Sequence, residues 1–173
     1  ANVTHEGGTT YTDAGATIAD IADVDVKVVV AGSVDITQLG DYTLAYDATD
    51  ASGNKATQLS RKVTVVDTVA PVITLKGAAE TTVIKEGDFT DPGSTAVDAV
   101  EGDLSSQVAV GGDNVDTATL GEYVITYDVS DSQGNKAVQV TRKVIVTNAP
   151  DTTLPVITLV GDAEVTHEAG SDY

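Results

Sequence analysis

The chain has 173 residues, with 9 Lys and Arg against 27 Asp and Glu and a formal net charge of −18; charge of that sign repels nucleic acid and anionic membranes and argues against both as partners. Hydrophobic residues still make up 41% of the chain, so the acidic surplus does not mark disorder. With no cysteine there is no disulfide framework, no apolar run reaches the length of a membrane-spanning helix, and Ala1 does not open a signal peptide, so any targeting segment is expected outside these residues.

In chain order, period-2 alternation recurs and no helical stripe of comparable length competes with it. Tyr42, Leu44, Tyr46 and Ala48 share one face while Thr43 and Asp47 share the other. Asp50-Ala51-Ser52-Gly53-Asn54 then reads as a hairpin turn in which Gly supplies positive φ. The returning strand ends in Val63-Thr64-Val65, and Pro71-Val72-Ile73-Thr74-Leu75 opens the next stretch. Asp91-Pro92-Gly93 is a type II turn signal, with Pro fixing φ and Gly allowing φ > 0. Tyr123, Ile125, Tyr127 and Val129 repeat the alternation, Asp131-Ser132-Gln133-Gly134-Asn135 repeats the turn, and Val144-Ile145-Val146 closes the return. The large groups on these two faces are expected in the core. Arg61 and Arg142 share strand parity with core-facing Val65 and Val146, which predicts either a β-bulge before each or a guanidinium paired with an acid.

These elements are two copies of one unit. The segment from Leu39 to Lys55 recurs 81 residues later, from Leu120 to Lys136. Pro71-Val72-Ile73-Thr74-Leu75 recurs as Pro155-Val156-Ile157-Thr158-Leu159, and residues 1–11 match 163–173 at seven positions. The expected organisation is a first repeat over 1–69 without its opening strand, a complete repeat over 70–149, and the opening strands of a third over 150–173. The first repeat is three residues shorter between Asp25 and Asp35 than the second is between Asp103 and Asp116, which puts its middle strands in question. Short strands with turns at this density indicate an all-β sandwich. A unit of about 80 residues buries only about 60% of its unfolded surface, so neighbouring units or bound metal are expected to add stability.

The pattern Pro-Val-Ile-Thr-Leu, Asp-Pro-Gly-Ser-Thr-Ala-Val-Asp (91–98), Glu-Gly-Asp-Leu (101–104), Leu-Gly-x-Tyr and Asp-x-x-Gly-Asn resembles the bacterial immunoglobulin-like repeats related to hyalin repeats, which occur in tandem in surface proteins and adhesins. The resemblance implies tandem immunoglobulin-like antiparallel β-sandwiches, an extracellular or cell-surface location and no common catalytic activity. It also places Tyr42 and Tyr123 at a tyrosine corner, with Leu44 and Ile125 where antibody domains carry a core cysteine.

The acidic loops carry the one chemical signal. Asp98, Glu101 and Asp103 cluster between two strands, and Asp20, Asp23 and Asp25 occupy the matching stretch of the first repeat. In the sandwich topology that loop, the turn at Asp131 and the linker beginning at Asp67 meet at one end. Converging carboxylate and carbonyl oxygens suit Ca²⁺, which takes six to eight oxygen ligands, and the arrangement is similar to cadherin interdomain sites, although the cadherin linker motif is absent. The same residues also fit a purely local reading, in which Asp in a turn caps its own backbone; Asp50, Asn54 and Asn135 fit that reading better. His5 and His167 share a Val-Thr-His-Glu motif, but the second repeat has Val83 there, which an essential ligand would not tolerate. The aromatic residues fall at repeat-equivalent positions, which fits core packing rather than a ligand platform. No phosphate-binding, nucleophile-elbow or zinc-protease motif is present, and no Lys stands on a core face where an isopeptide cross-link to Asn would form.

Two functions remain open on this reading. One is a structural stalk or filament segment, its neighbours being repeats of the same protein, with head-to-tail self-assembly through residues 155–173 as a further mode. The other is an adhesin repeat that itself contacts a host or surface ligand. Near-uniform repeats without an unusual exposed loop fit the stalk, and neither reading is enzymatic.

Overall fold

A computed structural model describes residues 2–161, 163 and 164. The first unit contains β1 (Asn2–Glu6), β2 (Val28–Ala31), β3 (Gly40–Ala48) and β4 (Leu59–Val66). The second contains β5 (Val72–Leu75), β6 (Glu80–Ile84), β7 (Ser94–Asp98), β8 (Gly102–Asp103), β9 (Ala109–Gly112), β10 (Gly121–Asp128) and β11 (Val140–Thr147). The second unit is a two-layer sandwich of a four-stranded sheet ordered β6-β11-β10-β9 and a three-stranded sheet ordered β5-β7-β8. The first unit repeats the four-stranded sheet as β1-β4-β3-β2. Pairing is antiparallel except at one edge of each four-stranded sheet, where β1 lies parallel to β4 and β6 parallel to β11. A parallel pair cannot be closed by a tight hairpin. Each of these edge strands accordingly enters far upstream in the chain.

The alternation seen in the sequence becomes the core. Ile125, Tyr127, Val144, Ile73, Val83, Ala96 and Leu104 pack together in the second unit, and Leu44, Tyr46 and Val63 in the first. Tyr42 and Tyr123, expected in the core, are only half-buried. Their hydroxyls explain why: Tyr42 donates to the carbonyl of Gln38 at 2.8 Å and Tyr123 to that of Thr119 at 3.0 Å, which is the tyrosine corner. A phenol that must reach a loop carbonyl cannot also sink its ring fully.

The inward-parity arginines are paired with acids. Arg142 is 1% exposed; its Nε lies 2.9 Å from Asp91, and its Nη atoms donate to the carbonyls of Lys76, Ala78 and Gly93. Tyr127 completes the group, its hydroxyl 2.7 Å from both Asp91 oxygens. In the first unit Arg61 pairs with Asp13, donates to the Gly15 carbonyl at 3.0 Å, and lies over the Tyr46 ring at 5.4 Å. Tyr46 in turn donates to Asp13 at 2.8 Å. A guanidinium is tolerated in a core only when its donors are met by fixed acceptors, and here a turn Asp and loop carbonyls meet them.

Two of the three extra residues of the second unit lie before β9, in the segment that carries the 3-10 turn Ser105–Gln107, and the third follows β9; β2 forms without them. Residues 155–159 carry no strand pairing. His167 and Tyr173 lie outside the described residues.

Candidate functional site

Both units carry the same two acidic devices at their leading end. In the second, Asp98 follows β7 and its Oδ1 accepts the amides of Val100 at 2.7 Å and Glu101 at 3.0 Å. Asp20 does the same for Ala22 and Asp23, both at 2.8 Å. Asp131 clamps its hairpin turn through the Asn135 amide and side chain, both at 2.8 Å, as Asp50 clamps Asn54. Gly134 and Gly53, each at φ 89°, make that turn possible. Glu101 accepts the amide of Ser132 at 2.8 Å and its hydroxyl, tying the two loops together; Asp23 holds Ala51 at 2.9 Å in the first unit. The local reading of these carboxylates as backbone caps therefore holds in both copies.

At the second unit the linker brings in Asp67. One carboxylate oxygen from each of Asp67, Asp98 and Asp131 lies within 4.8 Å of the others, and all three side chains are buried. Asp67 Oδ2 and Asp98 Oδ2 are buried with no hydrogen-bond partner. Three carboxylates with two orphaned oxygens are an expensive thing to bury, since each charged oxygen taken from water needs a donor or a cation. Burial first, and then the charges of Asp98, Asp131 and Glu6, push the Asp67 carboxyl above its ordinary value. At Asp131 burial works in the same direction, but the hydrogen bonds from Asn135 outweigh it and hold the group low.

Of the other acids singled out from the sequence, Glu101 stands beside the cluster as a loop tie, while Asp103 is exposed and caps Ser105 at 2.9 Å. Asp20, Asp23 and Asp25 gather at the corresponding end of the first unit, where Asp23 also caps Asp25 at 3.1 Å; Asp20 and Asp25 are exposed and Asp23 half-buried. His5 lies on β1, near the Thr9 carbonyl at 3.1 Å and edge-on to Tyr11 at 5.0 Å, away from the acidic cluster.

Two junction features escaped the sequence reading. Glu6, at the end of β1, accepts the Thr68 amide at 2.8 Å and its hydroxyl at 2.7 Å, which hold its carboxyl low and fasten the linker to the first unit. The recurrence of Val-Thr-His-Glu drew attention to its His, but the Glu makes the contact. Gly7 and Gly8 pack against the second unit. A Cβ on Gly8, which has φ +67°, would stand 2.5 Å from the Ala99 carbonyl oxygen, and one on Gly7 would stand 2.7 Å from a Val100 methyl. The second unit has Lys85 and Glu86 at those positions, so the Gly pair was a readable signal of close approach.

Two stacked immunoglobulin-like units joined by a linker that is held at both ends define a tandem-repeat module. Residues 1–65 and 73–146 match the family described as bacterial surface protein, Ig-like domain, and the chain belongs to it. It is 32% identical over 122 residues to the pesticidal crystal protein Cry22Aa of Bacillus thuringiensis, a match covering 66% of this chain and 16% of that protein. It is 31% identical over 141 residues to hyalin of Strongylocentrotus purpuratus, covering 77% of this chain and 11% of hyalin. The chain thus spans well under a fifth of the length of these relatives. Among solved structures, the lipoprotein BT2262 from Bacteroides thetaiotaomicron matches with a TM-score of 0.42 at 26% identity, covering 47% of this chain and 40% of that one. The EC1-2 fragment of human protocadherin-24 matches with a TM-score of 0.37 at 11% identity, covering 86% and 95%. Among the described residues no helix is long and apolar enough to cross a membrane.

Proposed function

We propose that this chain is a segment of an extracellular stalk, whose work is mechanical spacing rather than catalysis, and that its repeat junction is stiffened by Ca²⁺. The observation that carries the reading is the buried cluster of Asp67, Asp98 and Asp131 with two orphaned carboxylate oxygens. The donor set fits the ion: all three ligands are hard oxygens, and no His or Cys that would favour zinc is among them. Asp67 comes from the linker while Asp98 and Asp131 come from the second unit, so a cation there ties linker to domain. It would neutralise three repelling charges where the linker meets the second unit. Glu6 and the Gly7-Gly8 contact hold the other side of the linker, so stiffening it fixes the angle between units.

The test is small-angle scattering and thermal unfolding of the whole chain in EDTA and in millimolar calcium. Calcium is expected to raise the unfolding temperature and narrow the distribution of interdomain distances. No change in either measurement would remove calcium from the reading. A stalk whose stiffness depends on the Gly pair would still show greater flexibility in Gly8→Ala.

A further inference from the structure

In a stalk, tension enters a unit at one end of its chain and leaves at the other. In the second unit it enters through β5, which belongs to the three-stranded sheet, and residues 76–79 carry it across to β6 at the edge of the four-stranded sheet. β6 lies parallel to β11, with Glu80 opposite Lys143 and Ile84 opposite Thr147. The start of β6 and the end of β11 therefore stand at opposite ends of one ladder. Tension drags the two strands lengthwise past each other and loads the registered pairs together. An antiparallel pair pulled from adjoining ends would open one pair at a time.

Arg142 of β11 lies across this path. Its Nη2 donates to the carbonyls of Lys76 at 2.7 Å and Gly93 at 3.1 Å, and its Nη1 to that of Ala78, while Nε lies 2.9 Å from Asp91. Lys76 and Ala78 belong to the crossing between the sheets, and Asp91 and Gly93 to the turn that leads into β7. One side chain of the strand by which the chain leaves thus grips the segment by which tension arrives. Backbone bonds run beside it, from the Lys76 amide to Gly93 at 2.9 Å and from the Lys143 amide to Ala79 at 2.8 Å. The guanidinium is 1% exposed, which slows the entry of water that would replace its bonds as they lengthen. A lysine there would offer Asp91 a point charge and could not span crossing and turn together.

We propose that Arg142 is a load-bearing strut: it fastens the crossing at residues 76–79 to β11, and β6 is not loaded until the guanidinium releases Lys76 and Ala78. Such a strut resists extension of the unit rather than melting as such, because only bonds broken on the way to rupture set the rate of forced unfolding. It takes its purpose from the stalk reading and is independent of whether a cation occupies the junction. A stalk without the strut would still stiffen with calcium, so the scattering test and the pulling test can fail separately.

Single-molecule pulling of the full chain at constant load tests this, and a sequence without cysteine lets thiol handles be placed singly. Handles at Val69→Cys and Ala149→Cys load the unit through the crossing. Handles at Ala79→Cys and Ala149→Cys load β6 directly and leave Arg142 out of the path. The lifetime under load is expected to be about tenfold or more longer through the crossing, the effect of two charge-assisted hydrogen bonds. With the first pair of handles, Arg142→Lys should shorten that lifetime by about tenfold or more. Leu104→Ala, which removes buried core contacts away from the crossing, should shorten it by less than about threefold for a similar loss of equilibrium stability. Equal lifetimes from the two pairs of handles overturn the proposal, and that comparison keeps Arg142 in place should Arg142→Lys not fold. An Arg142→Lys lifetime no shorter than that of Leu104→Ala at matched stability also overturns it, leaving Arg142 as a core residue alone.

Discussion

Replacing Asp98 by Asn separates the electrostatics of the junction from its packing. Asn keeps the oxygen that accepts the amides of Val100 and Glu101, so the loop geometry survives. It removes the charge that faces both Asp67 and Asp131 within 4.8 Å. At an effective dielectric constant of about 20, each such pair repels by about 3 kcal/mol before the groups relax and counter-ions gather. After screening, a gain of about 1 to 3 kcal/mol in stability is expected for Asp98→Asn in EDTA. Calcium should do the reverse. A site with a dissociation constant of about 10⁻⁴ to 10⁻³ M stabilises the parent chain by about 1.4 to 2.7 kcal/mol at about 10 mM calcium, and the variant should lose most of that increment. Denaturant unfolding followed with and without calcium reads both effects, because they have opposite signs. A variant that is less stable than the parent in EDTA and responds equally to calcium would refute the reasoning, showing that Asp98 acts only as a loop cap.

Asp91→Ala should cost about 3 to 5 kcal/mol, because it strands the 1%-exposed guanidinium of Arg142 and leaves the Tyr127 hydroxyl without its acceptor; Asp13→Ala, beside the more exposed Arg61, should cost less in the same unfolding assay. Glu86 is a non-glycine residue at φ 65°, where the first unit has Gly8, so Glu86→Gly should stabilise the second unit by about 0.5 to 1 kcal/mol, read as a raised unfolding midpoint. The raised Asp67 carboxyl sets a pH dependence in EDTA. Its penalty is absent below the unfolded value of 3.8 and complete above the folded value, so acidification from neutrality into that window should stabilise the chain. Further acidification should destabilise it, as Glu6 and Asp131, whose carboxyls are held low, take up protons. Calcium titrations across the same range should show affinity falling as Asp67 is protonated.

Strand faces, turns and the repeat itself were legible because each is a local rule written twice. Period-2 alternation placed Leu44, Tyr46, Ile125 and Tyr127 in the core, and Gly in a five-residue turn marked both hairpins. Strand parity left Arg142 either a β-bulge or an acid partner, and the tertiary structure supplies the acid, Asp91 of the Asp-Pro-Gly turn. The acidic loops were visible as composition, but eight carboxylates looked alike. Asp20 and Asp98 cap their loops identically, and it is the linker residue Asp67 that shares a buried space with Asp98 and Asp131. Burial, and with it the cost of an unpartnered oxygen, is set by what packs from a distance. Sequence by itself therefore determined the units and their inward faces, since hydrophobic periodicity and turn chemistry act over a few residues. Tertiary structure decided which of several equivalent carboxylates share one buried space, because that depends on which distant segments pack together, here the linker at Asp67 with the loop at Asp98 and the turn at Asp131.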